Sequence, residues 1–182
     1  MYRTARLLLR EWVDDDLEPF AAMCADPDVM EFFPSTMTKE ETIAMVKAIR
    51  ERFAQNGFGL WAVDCGGQFA GYVGLNLTGP SFTTPFAPCH EVGWRLAKWA
   101  WGHGYATEAA TEALRIGFQE FNLSTIYSWT TIANHRSEAV MKRIGMLRRE
   151  DLDFVHPGTP GWHGAPHLVY SLTNERWREY GC

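Results

Sequence analysis

Apolar residues recur along this chain with two periods, and the places where one gives way to the other mark its elements. Residues 6–12 read as a first strand. Asp14, Asp15 and Asp16 then supply cap and first-turn acids for a short helix to about Cys24. Asp26-Pro27 and Phe33-Pro34-Ser35 break the chain. Thr38-Lys39-Glu40-Glu41 has the spacing of a capping box ahead of Ile43, Val46, Ile49 and Phe53, and it predicts a second helix to about Gln55, stopped by Asn56-Gly57. Residues 60–64 and 69–77 read as strands joined by Cys65-Gly66-Gly67-Gln68, a hairpin signal. A loop rich in Pro, Thr and Phe over 78–88 leads to a fourth strand at 89–96.

The second half changes rhythm. Ala110, Ala113, Leu114, Gly117, Phe118 and Phe121 fall on one face of a long helix that opens near 101–106. Residues 124–132 read as strand, and Asn134 caps a helix through Ile144 with Ser137, Val140, Met141 and Ile144 on its inner stripe, ended by Gly145. Residues 146–155 look strand-like, 157–166 form a loop, and 167–172 are a last strand. This order predicts one α/β (α+β) domain over 1–182: a mixed, mostly antiparallel sheet of about seven strands, flanked on both faces by about four helices.

A chain of 182 residues suits one domain, and 46% hydrophobic content is too rich for disorder. The net charge of −5 argues against nucleic acid as a partner, which wants a basic field. The apolar run Leu7-Leu8-Leu9 is too short for a leader, and no stretch is long enough to cross a bilayer, so no membrane partner is expected. Four cysteines without paired spacing fit reduced thiols in a cytoplasmic protein. His163 and His167 have helical ligand spacing, but Gly164 and Pro166 interrupt it, and no metal is predicted.

Candidate chemistry concentrates after the fourth strand, in Trp101-Gly102-His103-Gly104-Tyr105-Ala106. Glycines there permit a tight turn and close approach of a ligand, and the loop feeds a helix N-terminus whose free N–H groups attract anions. A dinucleotide fingerprint would need a third glycine where Thr107 stands, and no Gly-Lys-Ser/Thr follows for a nucleotide-phosphate loop. Taken alone, the loop is equally a glycine-rich turn before a helix.

Together with Glu91-Val92-Gly93-Trp94-Arg95-Leu96, with Thr130 to Ser137, Met141 and Ile144-Gly145-Met146, and with the opening Thr4 to Arg10, this loop resembles the GNAT superfamily of N-acetyltransferases, in particular its RimJ/RimL-type branch. The resemblance spans essentially the whole chain. It implies a sheet splayed between the fourth and fifth strands, with acetyl-CoA as co-substrate and its arm lying in the gap. It further implies main-chain contacts to the pyrophosphate from Gly102, His103, Gly104, Tyr105, Ala106 and Thr107. A fourth-strand N–H between Val92 and Leu96, the stretch that includes Trp94, would face the thioester carbonyl, and Asn134 would touch the pantetheine arm or the adjoining phosphate region, or serve as an N-cap, or do both. Met141 stands where many relatives carry an acidic tyrosine. Ser137, on the same stripe, is then the remaining hydroxyl for the leaving thiolate, or equally a first-turn residue bonded to the backbone.

The acceptor implied is an amine, either a small molecule or a peptide N-terminus. Glu91 alternates with Val92 and Trp94 and so leaves the opposite face of its strand, as a base for the amine or as a salt-bridged strand residue. His156 and His167 are rival bases or acceptor contacts. Phe33, with Phe32, Phe82 and Phe86, lies in loops that the family uses for the acceptor. A non-catalytic CoA-binding sensor of the same fold is the alternative to an enzyme, and a homodimer stays open.

Overall fold

The computed structural model describes residues 1–79, 82–159 and 161–180, so Cys182 and one or two positions in each expected long loop lie outside it. Nine strands are present among the described residues: β1 Tyr2–Arg3, β2 Leu8–Arg10, β3 Leu60–Cys65, β4 Gln68–Thr78, β5 Cys89–Leu96, β6 Thr125–Thr131, β7 Leu147–Arg148, β8 Phe154–Val155 and β9 Pro166–Thr173. The helices are α1 Leu17–Ala25, α2 Lys39–Asn56, α3 Tyr105–Gln119, α4 His135–Arg143 and α5 Asn174–Tyr180. The strands order as β1-β2-β3-β4-β5-β6-β9-β7, with β8 also on β9. All neighbours are antiparallel except β5 and β6.

The predicted mixed, mostly antiparallel sheet is therefore observed, with two more strands and one more helix than expected. The capping box forms: the Glu41 N–H donates to Thr38 Oγ1 (3.2 Å), the Thr38 N–H donates to Glu41 Oε2 (2.7 Å), and Gly57 closes α2 at φ 75°. Val46 and Ile49 from α2, with Phe20, Met23 and Cys24 from α1, pack on one face of the sheet against Trp12, Ala62 and Tyr72. On the other face Ala109, Ala113, Leu114 and Phe118 of α3 join Val140 and Met141 of α4 over Val63, Val73, Leu75, Val92 and Ile126. Gly117 lets α3 lie close to the sheet, since a Cβ there would stand 2.7 Å from Ile126 Cδ1.

Three expectations need correction. The strand expected over 6–12 is only Leu8–Arg10, because Arg6 is drawn away: its N–H donates to Glu108 Oε1 at 2.8 Å, and the Thr4 N–H closes a turn on the Leu7 carbonyl at 3.0 Å. The strand expected over 146–155 splits into β7 and β8 around a turn at Glu150–Leu152. Asp153 replaces the missing ladder there, accepting from the Val169 N–H at 3.1 Å and pairing with Arg148. The third correction is α5, which no periodicity announces. Trp177 packs it onto Phe118, and the Asn174 side chain donates to the Leu123 carbonyl at 3.1 Å.

Candidate active site

The parallel pair β5 and β6 touches at two positions only, His90 with Ile126 and Glu91 with Tyr127. Beyond them β5 stays paired with β4 to Leu96, and β6 with β9 to Thr131, but nothing joins β5 to β6. Alternate residues over 92–96 thus turn unpaired main-chain groups into a widening gap. Val92 and Leu96 point to the α3 side and are buried there, with Trp94 half-buried beside them.

At the wide end of the gap the chain turns through Trp101, held by a 2.8 Å bond from its Nε1 to the Leu96 carbonyl. Gly102 and Gly104 then take left-handed angles, φ 78° and 80°. Gly104 stands at the N-cap of α3 without a side-chain cap, and among the described residues the N–H groups of Gly102, His103, Gly104, Tyr105, Ala106 and Thr107 have no protein acceptor. A Cβ at Gly102 would meet nothing within 4 Å. Six bare donors around a helix N-terminus fit a diphosphate, and the gap beside them fits an extended thiol arm.

Arg6 braces this loop. Its Nη1 donates to the His103 carbonyl (2.8 Å), its Nε to Glu108 Oε2 (2.7 Å), and its guanidinium lies 4.7 Å over the Tyr105 ring. Burial works against the charge of Glu108, but the bonds from Thr4 and Arg6 prevail and hold its pKa below the usual carboxylate range.

The start of α4 flanks the gap. Asn134 Oδ1 accepts from the Ser137 N–H at 3.1 Å, so its N-cap role is realised while its amide nitrogen has no protein partner among the described residues. Ser137 is half-exposed in the first turn. Met141 is 1% exposed and belongs to the main core.

Glu91 sits on the α2 face, where β5 and β6 begin to part. The Asn76 amide donates to its Oε2 at 3.4 Å, and Arg52 Nη1 donates to Asn76 Oδ1 at 3.0 Å. Burial pushes the Glu91 carboxyl up to about 7, against the opposing pull of Asn76 and Arg52. A carboxylate poised there exchanges a proton readily at neutral pH. Beside it an aromatic wall gathers on the same sheet face. Phe86 stacks on Tyr127 (5.0 Å), Phe82 stacks on Trp129 (5.4 Å), and Phe154 stacks on His167 (5.5 Å). His156 and His167 are 5.2 Å apart within this wall, and burial lowers the pKa of each. Phe33 stands apart from them, 4.0 Å over the guanidinium of Arg95 further along β5.

Sequence reasoning passed over Arg6, Arg52, Asn76 and Arg95. Only Arg95 carried a usable signal: it lies four residues from Glu91 on one strand, hence on the same face.

The profile of the GNAT acetyltransferase domain matches residues 6–147. An Aspergillus fumigatus protein named FsC-acetyl coenzyme A-N(2)-transacetylase is 30% identical over 96% of this chain and 76% of its own. The crystal structure of an acetyltransferase from Agrobacterium tumefaciens superposes with a TM-score of 0.76 at 29% identity, covering 94% of this chain and 92% of that one. RimL, a ribosomal L7/L12 α-N-protein acetyltransferase solved with coenzyme A, shares the fold at a TM-score of 0.73 over 95% of this chain and 97% of its own, but only 13% identity. The parted strands, the bare loop amides and the matching profile agree, and the chain belongs to the GNAT acetyltransferase family.

Proposed function

We propose that this protein is an N-acetyltransferase that carries the acetyl group of acetyl-CoA to an amine by direct attack within a ternary complex. The parting of β5 and β6 immediately below the six bare amides carries this reading, because it provides both ends of a coenzyme A site in one groove. The amide run would hold the diphosphate, and a β5 N–H between Val92 and Leu96 would donate to the thioester oxygen as it gains charge. Glu91 takes the amine proton through a water as the C–N bond forms and the C–S bond breaks. The departing thiolate, with a pKa near ~8.5, takes a proton from solvent or from Ser137. The acceptor is a small amine or a peptide N-terminus. Nitrogen as the receiving atom is consistent with the name of the Aspergillus relative, and the wall containing His156 and His167 would frame its apolar portion. Kinship with the RimJ/RimL-type branch and action in the cytoplasm complete the proposal.

One observation favours a second reading. Met141, sealed in the core, offers no acid where many relatives have a tyrosine, as a CoA-binding sensor would tolerate. Thermal shift with acetyl-CoA, CoA, ATP and NAD tests the site, since a ligand of the folded state raises its melting temperature. Selective stabilisation by the two CoA ligands is expected, and a flat response at millimolar acetyl-CoA removes both readings. Amine-dependent thiol release then separates enzyme from sensor.

A further inference from the structure

Resting on the N-acyltransferase reading, we infer that the acceptor amine carries an anionic group, a carboxylate, and that Arg95 binds it. Arg95 is only 8% exposed, and its Nε is buried with no hydrogen-bond partner. Its Nη1 reaches only sulfur, Cys24 Sγ at 3.3 Å and Met37 Sδ at 3.6 Å, and its Cζ lies over two rings, 4.0 Å from the centroid of Phe33 and 5.6 Å from that of Tyr72. Among the described residues no carboxylate and no carbonyl accepts from this guanidinium.

Such an arrangement is costly. Buried arginines are ordinarily paired, and thiol and thioether sulfurs are weak acceptors that leave most of the fork unsatisfied. The same protein shows what a settled cation looks like: Arg10 makes a two-pronged pair with the buried Asp16, at 2.7 and 2.8 Å. Set against the Phe33 and Tyr72 rings, the Arg95 fork is held ready for a two-pronged oxyanion.

Its position says where that oxyanion comes from. Arg95, Gly93 and Glu91 share one face of β5. A Cβ placed on Gly93 would find only Glu91 Oε1 within 4 Å, at 3.7 Å, so the floor between the two charged residues is open. At a rise of ~3.3 Å per residue their Cα atoms lie about 13 Å apart. An amine presented beside Glu91 and a carboxylate several bonds away on the same molecule would span that floor. Phe33, from the loop between α1 and α2, forms its lid over Arg95.

The test needs no turnover. N-acetyl derivatives of the ω-amino acids from glycine to 6-aminohexanoate are each compared with their own carboxamide by thermal shift and calorimetry, on the wild type and on Arg95→Gln and Arg95→Met. The expected result is about tenfold or greater preference for the acid over the amide at one chain length, as loss of a charged hydrogen bond implies. Both variants should lose that preference. Arg95→Met should fold with a melting temperature at or above wild type, because it removes an unpaired buried charge. Equal binding of acid and amide at every length, or an acid preference that survives in either variant, overturns the proposal. Acetyl-CoA is titrated in parallel. Absence of its shift counts against the acyltransferase reading alone, since the acid and amide comparison stands without it.

Discussion

On the α3 side of β5 the candidate chemistry is main chain, six amides around two left-handed glycines, whereas on the α2 side it rests on two charged side chains, the half-buried Glu91 and the buried Arg95. The first arrangement depends on where the backbone goes, and the side chains of Trp101 and Tyr105 matter through the contacts that hold the turn. The second depends on residue identity, because burial works against the charge of Glu91 and leaves the Arg95 Nε without a partner. Substitutions should therefore separate cleanly: coenzyme binding fails with the turn, and acceptor chemistry fails with single side chains.

The sharpest way to break that division is Glu91→Gln. The acetylation rate at saturating amine should fall about 100-fold or more, as expected for a general base, while the thermal shift by acetyl-CoA stays unchanged. An unaltered rate would remove Glu91 from the mechanism and bring His156 and His167 forward. In the wild type, with the Glu91 carboxyl near 7, activity should decline about tenfold per pH unit below neutrality and level off above it. Asn76→Ala, which removes the bond favouring the ionised form, should move that midpoint upward.

The same carboxyl makes a stability prediction of definite sign. Its folded pKa of about 7 lies above the ordinary 4.5, so the native state holds a proton the unfolded chain has lost, and stability falls as pH rises from 4.5 to about 7. Glu91→Gln should accordingly stabilise the protein at pH 8 by up to about 3 kcal/mol and do nothing near pH 4 in denaturant titrations. On the coenzyme side, Gly104→Ala should cost about 1–2 kcal/mol for its left-handed angle, visible as a lower melting temperature and a reduced acetyl-CoA shift. Smallest of all, Ser137→Ala should lower the rate less than about threefold, because a thiolate leaves readily without help. A larger loss would make its hydroxyl the acid.

The legible parts of the fold were those fixed by local rules. The Thr38 box and the 89–96 strand stand within a residue or so of where periodicity and caps put them, and the α3 stripe holds from Ala110 to Phe118, with Phe121 falling two residues past the end of the helix. The turn at Gly102 and Gly104 was equally readable, since glycine spacing before an amphipathic helix reports on backbone shape. What escaped was non-local. Nothing near Arg95 in the chain says that the residues packed above it, Cys24, Phe33 and Met37, offer sulfur and ring faces instead of a carboxylate. Likewise the break between β7 and β8 follows from Asp153 meeting the Val169 N–H, sixteen residues away, and α5 is too short to display a period.

The bracket between Arg6 and Glu108 has a consequence for how the chain can be cut. Glu108 lies one turn inside α3, close enough that its carboxylate would repel any phosphate arriving at the helix mouth, and Arg6 is what neutralises it. Proteolytic clipping ahead of Leu7 would remove Arg6 together with its bond to the His103 carbonyl, and it would leave a bare negative charge at the threshold. If coenzyme A binds at that mouth as proposed, the amino-terminal arm is its counterion, and a truncated protein should hold the coenzyme more weakly and with a stronger dependence on salt.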